Sequence, residues 1–220
     1  MDGRSWEDLL ATALAVIADI EARGAGALDL VLGGGTVLMM RMRHRLSKDI
    51  DIFLHDAQWL SRLTPRLNDR VAALVRDYSE QANSIKLVLS HGDIDFVVAG
   101  RVTGVAPSET LDFRGRMIAL ETTEEILAKK LFHRASFLKP RDVFDLVVAS
   151  KLLPNAAGVA VEAARSRRDL QLARLRELAR APEADLSSGI LPLSDFGGLV
   201  PTMIESAIAL VDRKAEASSP

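Results

Sequence analysis

Apolar residues recur at helical spacing over the first stretch of the chain: Trp6, Leu9, Leu10, Ala13, Leu14, Ile17 and Ile20 share one face. Arg23-Gly24-Ala25-Gly26 ends that helix. Residues 28–32 form a short continuous apolar run that predicts a buried strand, and 36–44 predict the helix after it. Over 48–54 the pattern switches to alternation. Ile50, Ile52 and Leu54 lie on one face and Asp49, Asp51 and Phe53 on the other, which is the period of a strand. A short helix through Leu63 follows Asp56. Thr64-Pro65 then predicts the N-cap and first residue of another helix, with Leu67, Val71, Leu74 and Val75 as its apolar face. Residues 84–90 read as a strand, His91-Gly92 as a turn, 93–99 as the antiparallel partner, and 117–120 as one more short strand.

From Thr122 the pattern becomes helical throughout. Thr122 and Glu125 have capping-box spacing ahead of a helix to about residue 137. Lys139-Pro140 breaks it, 141–152 form the next helix, and Leu153-Pro154 breaks again. A long helix is expected over 155–180 with Gly158 as its weak point, then a loop over 181–199 and a last helix over 203–211. The fold class is α/β in the α+β sense. A small mixed-sheet lobe spans residues 1–121, a helical lobe 122–214, and a frayed tail 215–220.

Composition changes little in this picture. The formal net charge of −2 over 220 residues gives no global basic field, so a nucleic-acid partner would need a local patch. The chain has no cysteine, which excludes a disulfide partner and thiolate metal sites. No apolar run has the length of a membrane span, and Met1-Asp2-Gly3-Arg4 lacks the apolar core of a signal peptide. A cytoplasmic protein with no membrane partner is expected.

The chemistry concentrates around Asp49 and Asp51. Two carboxylates on one strand face repel unless a cation lies between them, and a divalent metal answers that need. Upstream, Gly33-Gly34-Gly35-Thr36 closes a strand and opens a helix, a place where backbone N–H groups reach phosphate oxygens. A phosphate cradle beside a metal-binding carboxylate pair is the equipment of phosphoryl or nucleotidyl transfer. Two-metal chemistry asks for a third carboxylate on a neighbouring strand. Asp95 is the candidate, with Asp93 as competitor on the same face but closer to the turn. Ser47, two residues before Asp49, faces the same way, and Arg45 would bind phosphate or pair with a neighbouring acid.

In order and spacing, Gly34-Gly35-Thr36 followed by Arg45-x-Ser47-x-Asp49-Ile50-Asp51-x-Phe53 resembles the active-site signature of the DNA polymerase β-like nucleotidyltransferase superfamily, and within it the AbiEii branch. The likeness covers roughly residues 28–148. Its second block is the helix around Lys129-Lys130-Leu131 and Arg134, followed by Arg141-Asp142-Val143-Phe144-Asp145-Leu146. The resemblance implies catalytic and metal-ligating roles for Asp49, Asp51 and Asp95, with two Mg2+ ions (Mn2+ as the alternative). It implies nucleotide contacts from Gly34, Gly35, Thr36, Arg45, Ser47 and Lys130. Arg141, Asp142 and Asp145 would form a salt-bridged brace. The implied reaction moves a nucleoside monophosphate from a nucleoside triphosphate to an acceptor hydroxyl, with RNA and especially a tRNA end as acceptor. The implied setting is a toxin with a cognate antitoxin. The arginines at 165, 167, 168, 174, 176 and 180 supply a local basic segment suited to an RNA backbone. The alternatives are an antibiotic-like small-molecule acceptor and a non-catalytic nucleotide-binding protein.

Overall fold

The computed structural model describes residues 5–193 and 195–213, so the tail expected at 215–220 lies outside them. The chain divides into two compact units. The first comprises the described residues up to Val37, with Ser47–Gly100 and Ala106–Thr122. The second takes Leu38–Leu46, Arg101–Val105 and the described residues from Thr123 on.

The first unit opens with helix α1 (Ser5–Ile20), which runs into a π-helical turn (Glu21–Ala25). Strand β1 (Leu30–Gly33) leads directly into helix α2 (Gly34–Met42), whose residues from Leu38 belong to the second unit. Strand β2 (Ile50–Leu54), helices α3 (Gln58–Leu63) and α4 (Asp69–Leu74), and strands β3 (Asp77–Gln81), β4 (Ser84–Val88), β5 (Asp93–Val98), β6 (Glu109–Phe113) and β7 (Arg116–Leu120) follow. All seven strands join one mixed sheet in the order β3-β4-β5-β2-β1-β7-β6. The pairs β1–β7 and β2–β5 are parallel and the others antiparallel. Alternation decides the faces, as expected. Ile50, Ile52 and Leu54 are buried with Ile85, Ile94 and Phe96, and α1 packs against β2 and β5.

Three sequence expectations change here. Helix α4 starts after Asn68, whose Oδ1 accepts from the N–H groups of Arg70 and Val71, so Asn68 and not Thr64 is the cap. Of the apolar face expected for it, Val71 is fully buried, whereas Leu67 and Leu74 are exposed. Strand β2 begins at Ile50, leaving Asp49 at its entrance. Strands β3 and β6 were not expected.

The second unit is helical: α5 (Thr123–His133), α6 (Pro140–Leu152), α7 (Pro154–Ala163), α8 (Arg168–Leu178), the short α9 (Glu183–Ser187) and α10 (Met203–Asp212). Pro140 and Pro154 each sit in a first helical turn, where the missing N–H costs nothing. The long helix expected over 155–180 is two helices, broken not at Gly158 but at a 3-10 turn, Arg165–Arg167. Buried Gln171 braces the break: its amide donates to the carbonyls of Leu131 and Ala164, and the Ala164 carbonyl also accepts from the Arg167 N–H in the 3-10 turn. The expected loop over 181–199 contains α9 and the start of a 3-10 stretch, Asp195–Thr202. Helix α2 stops at Met42 because Arg43 adopts a left-handed φ of 51°. The segment behind it is held by Leu46 N–H on the Leu191 carbonyl and Leu193 N–H on the His44 carbonyl.

Candidate active site

Strand register builds the acidic face. Lys86 on β4 pairs with Asp95 on β5, Asp95 with Asp51 on β2, and Asp51 with Gly33 on β1. One row across four strands thus carries an ammonium, two carboxylates and the glycine that ends β1. Asp49 and Asp93 lie beside this row, and the Asp93 N–H donates to Asp49 Oδ1 at 3.2 Å. Register sets Asp95 and Asp93 differently against Asp51. Asp95 is the direct register partner of Asp51, whereas Asp93 is not, and Lys86 Nζ lies between the two acids at 2.7 Å from Asp93 and 3.4 Å from Asp95.

The glycine turn lies against this face. Gly34 has φ +67°, and a Cβ built on it would fall 1.8 Å from Asp51 Oδ2, so any other residue is strained and displaces the Asp51 carboxylate. A Cβ on Gly33 would meet Glu121 Oε2 at 2.5 Å and the Phe53 ring at 2.7 Å. The first glycine of the run is therefore favoured by packing around β1. Thr36 is fully buried and its hydroxyl donates to the Asp49 carbonyl at 2.5 Å. That bond pins the first turn of α2 to the entrance of β2, a positioning role that differs from the expected donation to phosphate. Ser47 is buried at the start of the same segment.

Electrostatics mark the face as short of positive charge. Burial, followed by repulsion from Asp51, raises the Asp95 carboxyl to about 6, with Lys86 pulling the other way. Burial disfavours the Lys86 ammonium, yet Asp93, Asp95 and Asp49 outweigh it and hold the group above the ordinary lysine value. The donors are hard oxygens on one face under mutual repulsion, which suits a divalent cation such as Mg2+. Among the described residues, no three acidic or histidine side chains already bracket one point as an ion would require.

Arg45 and Lys130 lie in the second unit, in a buried ion cluster centred on Asp145. Of the two roles open to Arg45, pairing with an acid is the one seen. Its Nε and Nη2 donate to the two Asp145 oxygens at 2.6 and 2.8 Å. Lys130 Nζ reaches Asp145 at 2.5 Å and Asp142 at 3.2 Å, and Arg134 also pairs with Asp142. His44 Nε2 shares Asp145 Oδ1 at 2.7 Å, and its ring stacks on Phe144. Burial alone would raise the Asp145 carboxyl; Lys130 and Arg45 instead hold it well below the ordinary carboxylate value.

The arginine-rich segment is partly spent on internal contacts. Arg165 pairs with Glu162, Arg168 with Asp212, Arg174 with Glu177, and Arg167 lies over the Phe132 ring. Arg167, Arg176 and Arg180 remain exposed. Among the described residues, no helix is long and apolar enough to cross a membrane.

A mixed sheet bearing a carboxylate row beside a glycine turn defines the class as nucleotidyltransferase-like. The model of the family described as "Nucleotidyl transferase AbiEii toxin, Type IV TA system" matches residues 17–194. The chain belongs to this family and is a nucleotidyltransferase of the toxin–antitoxin type. Among solved structures, MenT4, a nucleotidyltransferase toxin from Mycobacterium tuberculosis H37Rv, shares the fold with a TM-score of 0.51 and 13% identity, over 96% of this chain and 84% of its own. The antibiotic-resistance factor ANT(2'')-Ia aligns with a TM-score of 0.37 and 16% identity, over 81% of this chain and 95% of its own. No protein of curated function matches the sequence.

Proposed function

We propose that this protein transfers a nucleoside monophosphate from a nucleoside triphosphate to an RNA hydroxyl, with a tRNA end as the favoured acceptor, as the toxin of a pair whose antitoxin restrains it. The observation that carries the reading is the cross-strand row of Lys86, Asp95, Asp51 and Gly33, set against the glycine turn at Gly34 within the family match.

In this reading Asp49, Asp51 and Asp95 hold two divalent ions, Mg2+ by preference. When bound, such ions polarise the phosphoryl group and favour the ionised attacking hydroxyl. The backbone N–H groups of Gly34 and Gly35 open α2 and receive phosphate oxygens, aided by the helix N-terminus. Thr36 fixes that turn to Asp49, and Ser47 leads into the same strand entrance. The acceptor hydroxyl releases its proton to water, its oxygen attacks the α-phosphorus, the bond to the bridging oxygen breaks, and pyrophosphate leaves. The exposed Arg167, Arg176 and Arg180 support an RNA acceptor through phosphate contacts.

The test incubates the protein with Mg2+, each of the four α-labelled triphosphates, and either total cellular RNA or a mixture of small hydroxylated acceptors. Label in tRNA-sized RNA that disappears in Asp49→Ala is the expected result. Label confined to small molecules would replace the RNA reading with the antibiotic-modifying one. Triphosphate binding with no label anywhere would favour a non-catalytic nucleotide-binding protein.

A further inference from the structure

Lys86 stands in the middle of the acidic face. Its Nζ lies 2.7 Å from Asp93 Oδ2 and 3.4 Å from Asp95 Oδ2, and 38% of its side chain remains open to solvent. It projects from β4, the strand next to β5, in register with Asp95. A lysine ammonium is a hydrated point charge on a flexible stem, able to leave a carboxylate for water at little cost. A divalent ion has no such tolerance. It needs several oxygens around one point, and no three acids bracket such a point while Lys86 engages two of them.

We propose that Lys86 is the resident counter-charge of this site: it neutralises the carboxylates of the metal-free protein, withdraws when a divalent ion enters, and thereby sets how tightly the site holds metal. The inference rests on the metal-binding reading of Asp49, Asp51 and Asp95. Two consequences follow from charge alone. A doubly charged ion must displace the ammonium from its carboxylates and is still repelled by it at the longer distance, so Lys86 weakens metal binding. Without the ammonium, the clustered acids repel one another, so the metal-free protein loses stability that an ion restores.

The experiment titrates Mn2+ into the full chain and follows the free-ion signal by electron paramagnetic resonance. Wild type, Lys86→Met, Lys86→Arg and Asp51→Asn are compared, with melting curves recorded with and without Mn2+. Lys86→Gln serves if the methionine variant does not fold. Lys86→Met should bind Mn2+ about tenfold tighter, as expected for removing one partly exposed like charge a few ångströms away. It should also gain more in melting temperature from Mn2+ than wild type does. Lys86→Arg, which keeps the charge, should bind as wild type. Equal or weaker Mn2+ binding in Lys86→Met, with wild-type binding abolished by Asp51→Asn, would overturn this inference alone. Mn2+ binding that is absent from wild type, or indifferent to Asp51→Asn, would overturn the metal reading and this inference with it.

Discussion

Replacing Asp145 by asparagine tests how the second unit is held together. The carboxylate is fully buried and accepts from Arg45 through both oxygens, from Lys130 and from His44. Asparagine keeps the shape but removes the charge, and its NH2 group faces donors that have nothing to donate to. Lys130 retains Asp142 at 3.2 Å, but Arg134 already uses that carboxylate at 3.1 Å. Arg45 is left as a buried cation beside its neutralised partner. Stranding one partner of a buried ion pair costs about 3–5 kcal/mol. That is a large share of the roughly 5–15 kcal/mol that stabilises a typical domain. Arg45→Met should cost less, about 1–3 kcal/mol, because Asp145 keeps Lys130 and His44 and remains compensated. Urea denaturation followed by circular dichroism gives both numbers. A loss under about 1 kcal/mol in Asp145→Asn, or a larger loss in Arg45→Met, would refute the reasoning.

Three further outcomes are expected. Gly34→Ala forces a left-handed residue, costing about 1–2 kcal/mol, and drives its methyl into Asp51; transfer should be lost while the melting curve moves by a few degrees, and retained transfer would remove Gly34 from the site. Asp142 and Asp145 are held below the ordinary carboxylate value of 3.8, so the unfolded chain takes up protons first. Their contribution is therefore complete above that value and is lost progressively as pH falls below it through the lower values of the folded state; a melting temperature that stays flat or rises on acidification below about pH 4 would contradict this. Lys130→Met separates two roles: a fall in labelled-triphosphate affinity beyond the stability loss measured in urea would assign Lys130 to nucleotide, whereas loss of stability alone would leave it in the Asp142–Asp145 brace.

Legibility in the sequence followed burial. Strand β2 declared itself because Ile50, Ile52 and Leu54 must be dry while Asp51 and Phe53 face the other way. Helices α5 and α6 were placed by their starts and by Pro140. Strand β3, Asp77–Gln81, was invisible because every residue in it is exposed at a sheet edge and no apolar alternation marks it. The break before α8 is braced by Gln171 reaching Leu131 and Ala164, and the Leu131 contact, forty residues away, has no local signal. The carboxylates could be chosen from order and spacing, but Lys86 could not. Its place is set by the β4–β5 register, and the one available signal was its position on the polar face of a strand already expected to pair with the one bearing Asp95. Thr36 shows the same limit: a hydroxyl expected to serve phosphate is committed to the backbone of Asp49.

The central claim is that the carboxylates on this sheet face carry metal-dependent nucleotidyl transfer, and pyrophosphate release tests it most directly. Wild type and Asp51→Asn are supplied with the triphosphate and acceptor that take up label, with Mg2+ or with chelator, and melting curves confirm that both are folded. The account predicts release only in wild type with the ion, and a loss of at least about a hundredfold in Asp51→Asn. Release at the wild-type rate from folded Asp51→Asn, or release from wild type that persists in chelator, would contradict it.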